Sequence, residues 1–422
     1  MASSASGEIQ LESRTLSGNE NQNEQSVIDE CRIYKAPYHL RKWNEEAYTP
    51  HVISIGPYHH NKEKFQNMEK HKVRYFKRFM QQNNINLEDL EQKIRDMEGR
   101  IQRCYVETAQ LNSDDFVQMI KLDAIFILEL FLKYRFGGWT IDDPIFVEAW
   151  LGDMVLHELL LLENQLPFFV INELYHLTLP FCSKYYPLIE LTFNFFDHLN
   201  IHNKDPKVEI QHFTDLLRFF RLPPHDRLLQ RKPKTVFPKY SVTQLREAGV
   251  KFKEASSKCI LGLNFEKGVL EIPLLDFQDD TEAYIRNVMA LEQCDGRVNR
   301  HITDFYSILD RLIDTDKDVD LLCDKGIIVN HLGNNNVITS MINKLNRGIF
   351  MDDMNSDYQE LCEDLNAFYE ESWHRRKALL RHQYFSSPWK AASTIAAIIL
   401  LVLTFIQTVC SIIQIVPIVK SW

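Results

Sequence analysis

The sequence predicts a mainly α protein: a multi-helix globular body that carries a small antiparallel β element and leads into one C-terminal transmembrane helix. Three observations point there. Apolar residues recur at three and four spacing through most of the chain after Gln66. Between Val250 and Pro273 that spacing gives way to alternation among β-formers, in VKFK, CILGLNF and GVLEIP. Finally, Ala391 to Val419 contains no charged side chain and is longer than a bilayer core requires.

Taken in order, residues 1–30 are polar, rich in Ser, Asn, Gln and Glu, and predict a disordered tail that is neither a secretory signal nor a signal anchor. Ala2 stands where N-myristoylation needs glycine. The body spans 31–382. Tyr48 to His60 mixes Pro50, Gly56 and Pro57 with Val52, Ile53 and Ile55, which suits an extended segment ending in a turn. Met68, Lys72, Tyr75 and Phe79 then mark a helix face, and Asn86 opens a second helix towards Ala109. Asn112, Ser113 and Asp114 cap a helix that is apolar nearly all round and stops at Gly137 and Gly138. A further helix is expected over Phe146 to Tyr175, bent or broken at Pro167. These two should form the centre of a soluble core, because Lys121, Asp123, Glu129, Asp153, Glu158 and Glu163 interrupt every apolar run.

Shorter helices are expected over Tyr185 to Leu199 and Ile210 to Phe220. Arg221 to Tyr240 (221–240) is basic and proline-rich, and reads as an exposed linker or insertion. After the β element, 250–273, Asp279-x-x-Glu282 resembles a capping box for a helix through Glu292. Helices should follow over Asn299 to Ile313, Asp316 to Leu322, Val337 to Asn346 and Ser356 to His382, then a juxtamembrane stretch, 383–390. The anchor, 391–419, presents Ala391, Ile395, Leu400, Phe405, Ile412 and Val419 to lipid. Trp389 with Lys390, and Lys420 with Trp422, are the cation and aromatic pairs suited to two interfaces. Pro417 falls in the last turn, where a break costs least.

Composition limits the functions available. A chain of 422 residues with 45% hydrophobic and 25% charged content is ordinary for a globular protein with a sizeable core. Its net charge of −10 understates the acidity of the body, because Arg375, Arg376, Lys377, Arg381, Lys390 and Lys420 all follow the last carboxylate, Glu371. Such a body repels phosphate backbones, so nucleic acid is not an expected partner. Five of those basic residues precede the apolar segment and one follows it, which predicts a tail-anchored, single-pass protein with its body in the cytosol. Cysteines scattered singly, and the absence of any Asn-x-Ser/Thr acceptor, agree with a reducing compartment.

No nucleotide-binding loop, nucleophile elbow or kinase signature occurs, and no catalytic, cofactor or metal residue is assigned. His59 and His60, with His51, His71 and Glu63 nearby, lack a helical metal-ligand spacing, since neighbours in a turn point apart. Asp276, Asp279, Asp280 and Glu282 lack an EF-hand's ligand order. Glu163, Asn164 and Gln165 are the buried polar residues of most interest. They should bond to backbone near the Pro167 break, with an active-site carboxylate at Glu163 as the competing role.

Several long segments carry a family likeness. HVISIGPYHHN with MEKHKVRYF, LDAIFILELF, LLLLENQLPFFVINELY, LREAGVKFK, GVLEIPLL with TEAYIRNVMALEQC, and WHRRKALLRHQYFSSPWK resemble the plant family known as domain of unknown function 247, from about Ile33 to the end. A local departure is LLCDKGIIVNHLGNNN, where Asn334, Asn335 and Asn336 replace a usual acidic run. The resemblance implies a plant single-pass membrane protein with a mainly helical body and no established enzymatic activity. In grasses, similar proteins are tied to self-incompatibility between pollen and stigma. The expected function is a non-catalytic interaction or signalling role whose partners are the lipid bilayer and an unidentified protein. The alternatives are a recognition determinant of the self-incompatibility type and a membrane-bound enzyme using Glu163 or the His59 and His60 pair.

Overall fold

The computed structural model describes residues 32–83, 85–107, 111–178, 186–223, 230–256, 261–371, 384 and 386–419, with side chains up to 409. The N-terminal tail, the basic run at 375–381, Lys420 and Trp422, and the side chains of Ile412 and Val419 lie outside the described residues.

The first half of the body is built around one helix, Ser113–Phe136. Asn112 caps it by accepting from the Asp115 N–H, and Gly137 at φ +79 ends it with a bond from its N–H to the Lys133 carbonyl. Its apolar residues face in every direction, so it must be enclosed. Helices Gln66–Asn83, Leu87–Arg103, Phe168–Thr178 and Leu188–Phe195 enclose it. Its four buried charges each have a partner: Lys121 with Glu91, Asp123 with Lys72 at 2.6 Å, Glu129 with Arg78 at 3.7 Å, and Lys133 with Asp143 at 2.6 Å. An unpaired charge in such a core would cost several kcal/mol, so the pairs make burial possible.

The second half packs helices Thr281–Cys294, His301–Leu312, Asp316–Asp324 and Asn335–Leu345 together, and Phe213–Arg221 joins the halves by lying on Thr281–Cys294. Ser356–Glu370 closes the body against the small sheet, where Phe368 meets Phe265 edge-on. The mainly helical class read from the sequence is therefore the observed one.

Four local expectations are corrected. The helix foreseen over Phe146 to Tyr175 is broken, but the break begins at Leu159 and not at Pro167, leaving Ala149–Glu158 and Phe168–Thr178, because Asn164 and Gln165 side chains take the carbonyls of Glu158, Leu159 and Leu161 and so stop the first one. The sheet over 250–273 is mixed: Asn264–Glu266 and Val269–Ile272 pair antiparallel across Lys267 and Gly268, both at positive φ, but Lys251–Glu254 runs parallel to the middle strand. It does so because the chain crosses to the far edge before turning back. Residues 230–240 are docked rather than free, with Arg231 bonded to Asp304 and Asp353 and Tyr240 stacked 3.6 Å from Tyr369. Asp279 and Glu282 form no capping box; the N-cap is Asp280, which makes no side-chain cap bond, while Thr281 at the first helical position accepts from the Gln278 N–H and Glu282 bonds Asn44 and Arg286.

The extended segment before the first long helix is present, yet no strand pairs with it among the described residues. Its backbone is satisfied by buried side chains. Glu158 accepts from the N–H groups of His51, Val52 and Ile53, Asn164 from Ile55, and Asp123 from Gly56, while the Lys72 ammonium donates to the Ser54 carbonyl. Gly56 lies at φ +72, and a Cβ there would stand 2.4 Å from the Gln165 carbonyl oxygen. Gly56→Ala should therefore destabilise the chain by at least about 2 kcal/mol, read as a lower thermal midpoint in detergent. Gly296→Ala, whose Cβ meets nothing within 4 Å, is the control, and equal midpoints for the two would contradict the clamp.

Candidate functional site: a saturated carboxylate and an acidic cleft

Leu159 to Pro167 is held out of helix by the prolyl ring, which has no N–H, and by the side chains of the three polar residues before it. Each of the three reaches a different part of the chain. Glu163 accepts from the Ala36 N–H at 3.0 Å, from the Arg41 guanidinium through both oxygens, and from His59 Nε2 at 3.1 Å. Asn164 bonds both sides of the extended segment, donating to the Ile53 carbonyl at 3.1 Å and accepting from the Ile55 N–H at 2.6 Å. Gln165 accepts from the Phe213 N–H at 2.8 Å, and its own carbonyl accepts from the Tyr105 hydroxyl at 3.0 Å. The expected backbone bonds near the break are there, and longer-range ones accompany them.

Glu163 is completely buried. Burial works to raise its pKa, but the hydrogen bonds from His59 and Arg41, with the Arg41 charge, outweigh it and hold the carboxyl below its ordinary value of 4.5. His59 is buried too, and burial lowers its pKa against the pull of Glu163, with the Lys62 and Arg41 charges adding to the lowering. The Lys62 ammonium donates to His59 Nδ1 at 2.8 Å, so the neutral ring carries its proton on Nε2 and gives it to Glu163. All of the Glu163 bonding capacity is thereby used in holding the segment 36–59. Sequence spacing gave no sign of Arg41, which meets Glu163 across more than a hundred residues, or of Lys62, which orients His59.

His60 faces elsewhere. Burial lowers its pKa, Glu69 and Asp115 oppose this, and it shares no contact with the Glu163 carboxylate. Among the described residues, no three His, Cys, Asp or Glu side chains meet in a metal-holding arrangement.

Beside this network opens a cleft of about 950 Å³, lined by Glu46, His51, Tyr134, Asp153, His157, Asp197, His198, Asp279, Asp280, Tyr284 and His331. It adjoins a smaller one of about 370 Å³ that shares His198, Asp280 and Tyr284 and reaches Arg221 and Tyr306. Glu158 lines the larger cleft while holding the backbone of 51–53, so the clamp and the cleft share a wall. Burial lowers the pKa of His157 and of His198, and Asp280 draws both back. The Tyr284 hydroxyl is raised by burial and by Asp280. The lining thus sets acidic side chains beside the imidazoles of His157 and His198, whose burial disfavours the charged form, and suits a cationic or hydrogen-bond-donating group.

The C-terminal helix, Pro388–Val419, begins before the expected Ala391. Pro388 takes the first helical position, and Ser387 Oγ accepts from the Lys390 N–H at 3.3 Å. The window 388–409 has a mean hydropathy of 2.2, none of it is buried, and it is long and apolar enough to cross a membrane. Ala391 is half-exposed, and Ile395, Leu400 and Phe405 are exposed, as are Trp389 and Lys390 at its start. Thr404 and Thr408 return their hydroxyls to the carbonyls of Leu400 and Thr404, each at 2.8 Å, so neither leaves an unsatisfied polar atom on the apolar surface.

The Glu163 network carries a pH signature. A carboxyl whose folded pKa is depressed adds stability above its unfolded value, and that stability is lost as pH falls through the folded value. Glu163→Gln should cost about 3 to 5 kcal/mol at pH 7 by leaving Arg41 without its buried partner. The gap between wild type and variant should narrow on acidification below about pH 4.5. Denaturant unfolding of the two at several pH values checks this, and a gap constant with pH would remove Glu163 from the ionised state assigned to it.

Comparison with known proteins agrees with the sequence resemblance. The UPF0481 protein At3g47200 of Arabidopsis thaliana is 29% identical over 417 residues, covering 92% of this chain and 87% of that protein. The putative UPF0481 protein At3g02645 of the same plant is 22% identical over 482 residues, with 89% of each chain covered. No solved structure matches. The family described as plant protein of unknown function, DUF247, matches residues 33–403, and the chain belongs to that family.

Proposed function

We propose that this chain is a single-pass membrane protein whose helical body, facing the cytosol, works by binding another protein rather than by catalysis. The observation that carries the reading is the unburied apolar surface of the 388–409 window, which only a bilayer or another apolar surface would cover. The basic residues at 375–381 and Lys390, ahead of that helix, support a cytosolic body. A saturated, ionised Glu163 supports a holding role in place of acid–base catalysis. The acidic cleft is where a protein partner carrying Lys or Arg would be met with complementary charge.

In sealed microsomes carrying the full chain, added protease should destroy the body without detergent. Protection of the body would overturn the orientation and favour the recognition reading, in which the body faces outward. Proximity labelling from the full chain, compared with one ending before Ala391, should show membrane neighbours only for the former. If both label the same neighbours, the apolar helix does not set the address.

A further inference from the structure

We infer that the projection formed by residues 134–150 is a second membrane contact, which lays the body against the bilayer that holds the C-terminal helix. This inference rests on the membrane reading above. The projection follows the central helix and holds the densest run of exposed large apolar side chains among the described residues of the body: Ile141 is 93% exposed, Val147 61%, Phe146 59%, Trp150 58% and Phe136 52%. Scattered apolar residues on a surface need no explanation, but five within fifteen residues form a patch of the kind that marks an interaction site.

The projection is built, not loose. Trp139 and Phe146 stack 5.9 Å apart, and Ile145 between them in sequence is buried in the core. Asp143 caps the short helix Pro144–Val147 and is fixed in turn by Lys133 at 2.6 Å and the Tyr75 hydroxyl at 2.8 Å. The apolar residues are therefore presented by a rigid support.

Its rim is basic. Arg74 bonds Asp142 and Arg78 donates to the Gly138 carbonyl at 2.6 Å, which brings that face of the Gln66–Asn83 helix, with exposed Lys77, beside the projection. Arg135 lies on the other flank, 5.5 Å from the Tyr186 ring. Asp142 and Glu148 are the acidic residues of the patch, and Asp142 is already paired with Arg74. An aromatic and aliphatic tip flanked by Arg and Lys is the arrangement that interfaces favour, with rings at the headgroup boundary and cations on phosphates. A soluble partner would not require the cationic flank. The chain from Glu371 to Pro388 can span at most roughly 60 Å, so a membrane-held body stays within reach of the surface and meets it at high effective concentration.

The test is amide hydrogen exchange on the full chain, one copy per nanodisc, with anionic or zwitterionic lipid and a detergent reference. Exchange in 138–150 should slow about tenfold in anionic discs relative to detergent. Ile141→Glu with Trp150→Glu, both outside the core, should abolish that protection while leaving 390–409 protected. Protection of 390–409 without 138–150 overturns the second contact and leaves the membrane reading intact; loss of both overturns both. Protection of 138–150 that appears only in discs holding two copies also overturns it, in favour of contact between copies.

Discussion

Residues 51–56 run into the core as irregular backbone with no neighbouring strand among the described residues, and a buried N–H without a partner costs about as much as a lost hydrogen bond. Glu158, Asn164 and Asp123 supply the acceptors that a strand would have given, and Lys72 supplies a donor. Everything else in the first half follows from placing those side chains. Asp123 must lie on the central helix, Lys72 on the face of the helix packed against it, and Glu158 at the end of a helix that stops there. Asn164 must lie in a turn close enough to touch the segment on both sides.

Such an arrangement is electrostatically demanding. Burial raises Asp123 to about 6 even with Lys72 and the Gly56 N–H beside it, and Asp304 likewise to about 6 despite Arg231. Each ion taken from water costs several kcal/mol, and its partner returns that only if the geometry is good. The body accepts these costs repeatedly, at Lys133 with Asp143 and at Arg218 with Glu292 as well as at Glu163. An apolar core would pack as well, but it could not tie irregular segments to defined places.

Helices are legible from local signals, because Met68, Lys72, Tyr75 and Phe79, or the caps at Asn86 and Asn112, act through neighbours a turn away. The extended segment was legible for the same reason, from its prolines, glycine and β-branched residues. What could not be read depends on distant partners. LLLLENQLP has the composition of a continuing helix, and only the side chains of Asn164 and Gln165, turned back on carbonyls, end it. The docking of 230–240 rests on Asp304 and Asp353, far along the chain. Glu163 was singled out as polar within an apolar run, but its partners Arg41 and His59 sit in a stretch with no periodicity to assign them. The exposed projection at 134–150 left no trace, since Phe146 and Trp150 look like core residues until their burial is known.

The clamp also dictates an order of events during synthesis. Residues 51–56 leave the ribosome about a hundred residues before Glu158 and Asn164 exist to receive them, and Gln165 in turn waits for Phe213. At roughly 5 to 20 residues per second, the nascent chain holds an apolar, unpaired stretch for several seconds or more. Contacts so distant in sequence also make closure slow once the partners are present. The first half of this body therefore offers HVISIGP to chaperones as a sticky extended segment, and the polar triplet that follows is what withdraws it.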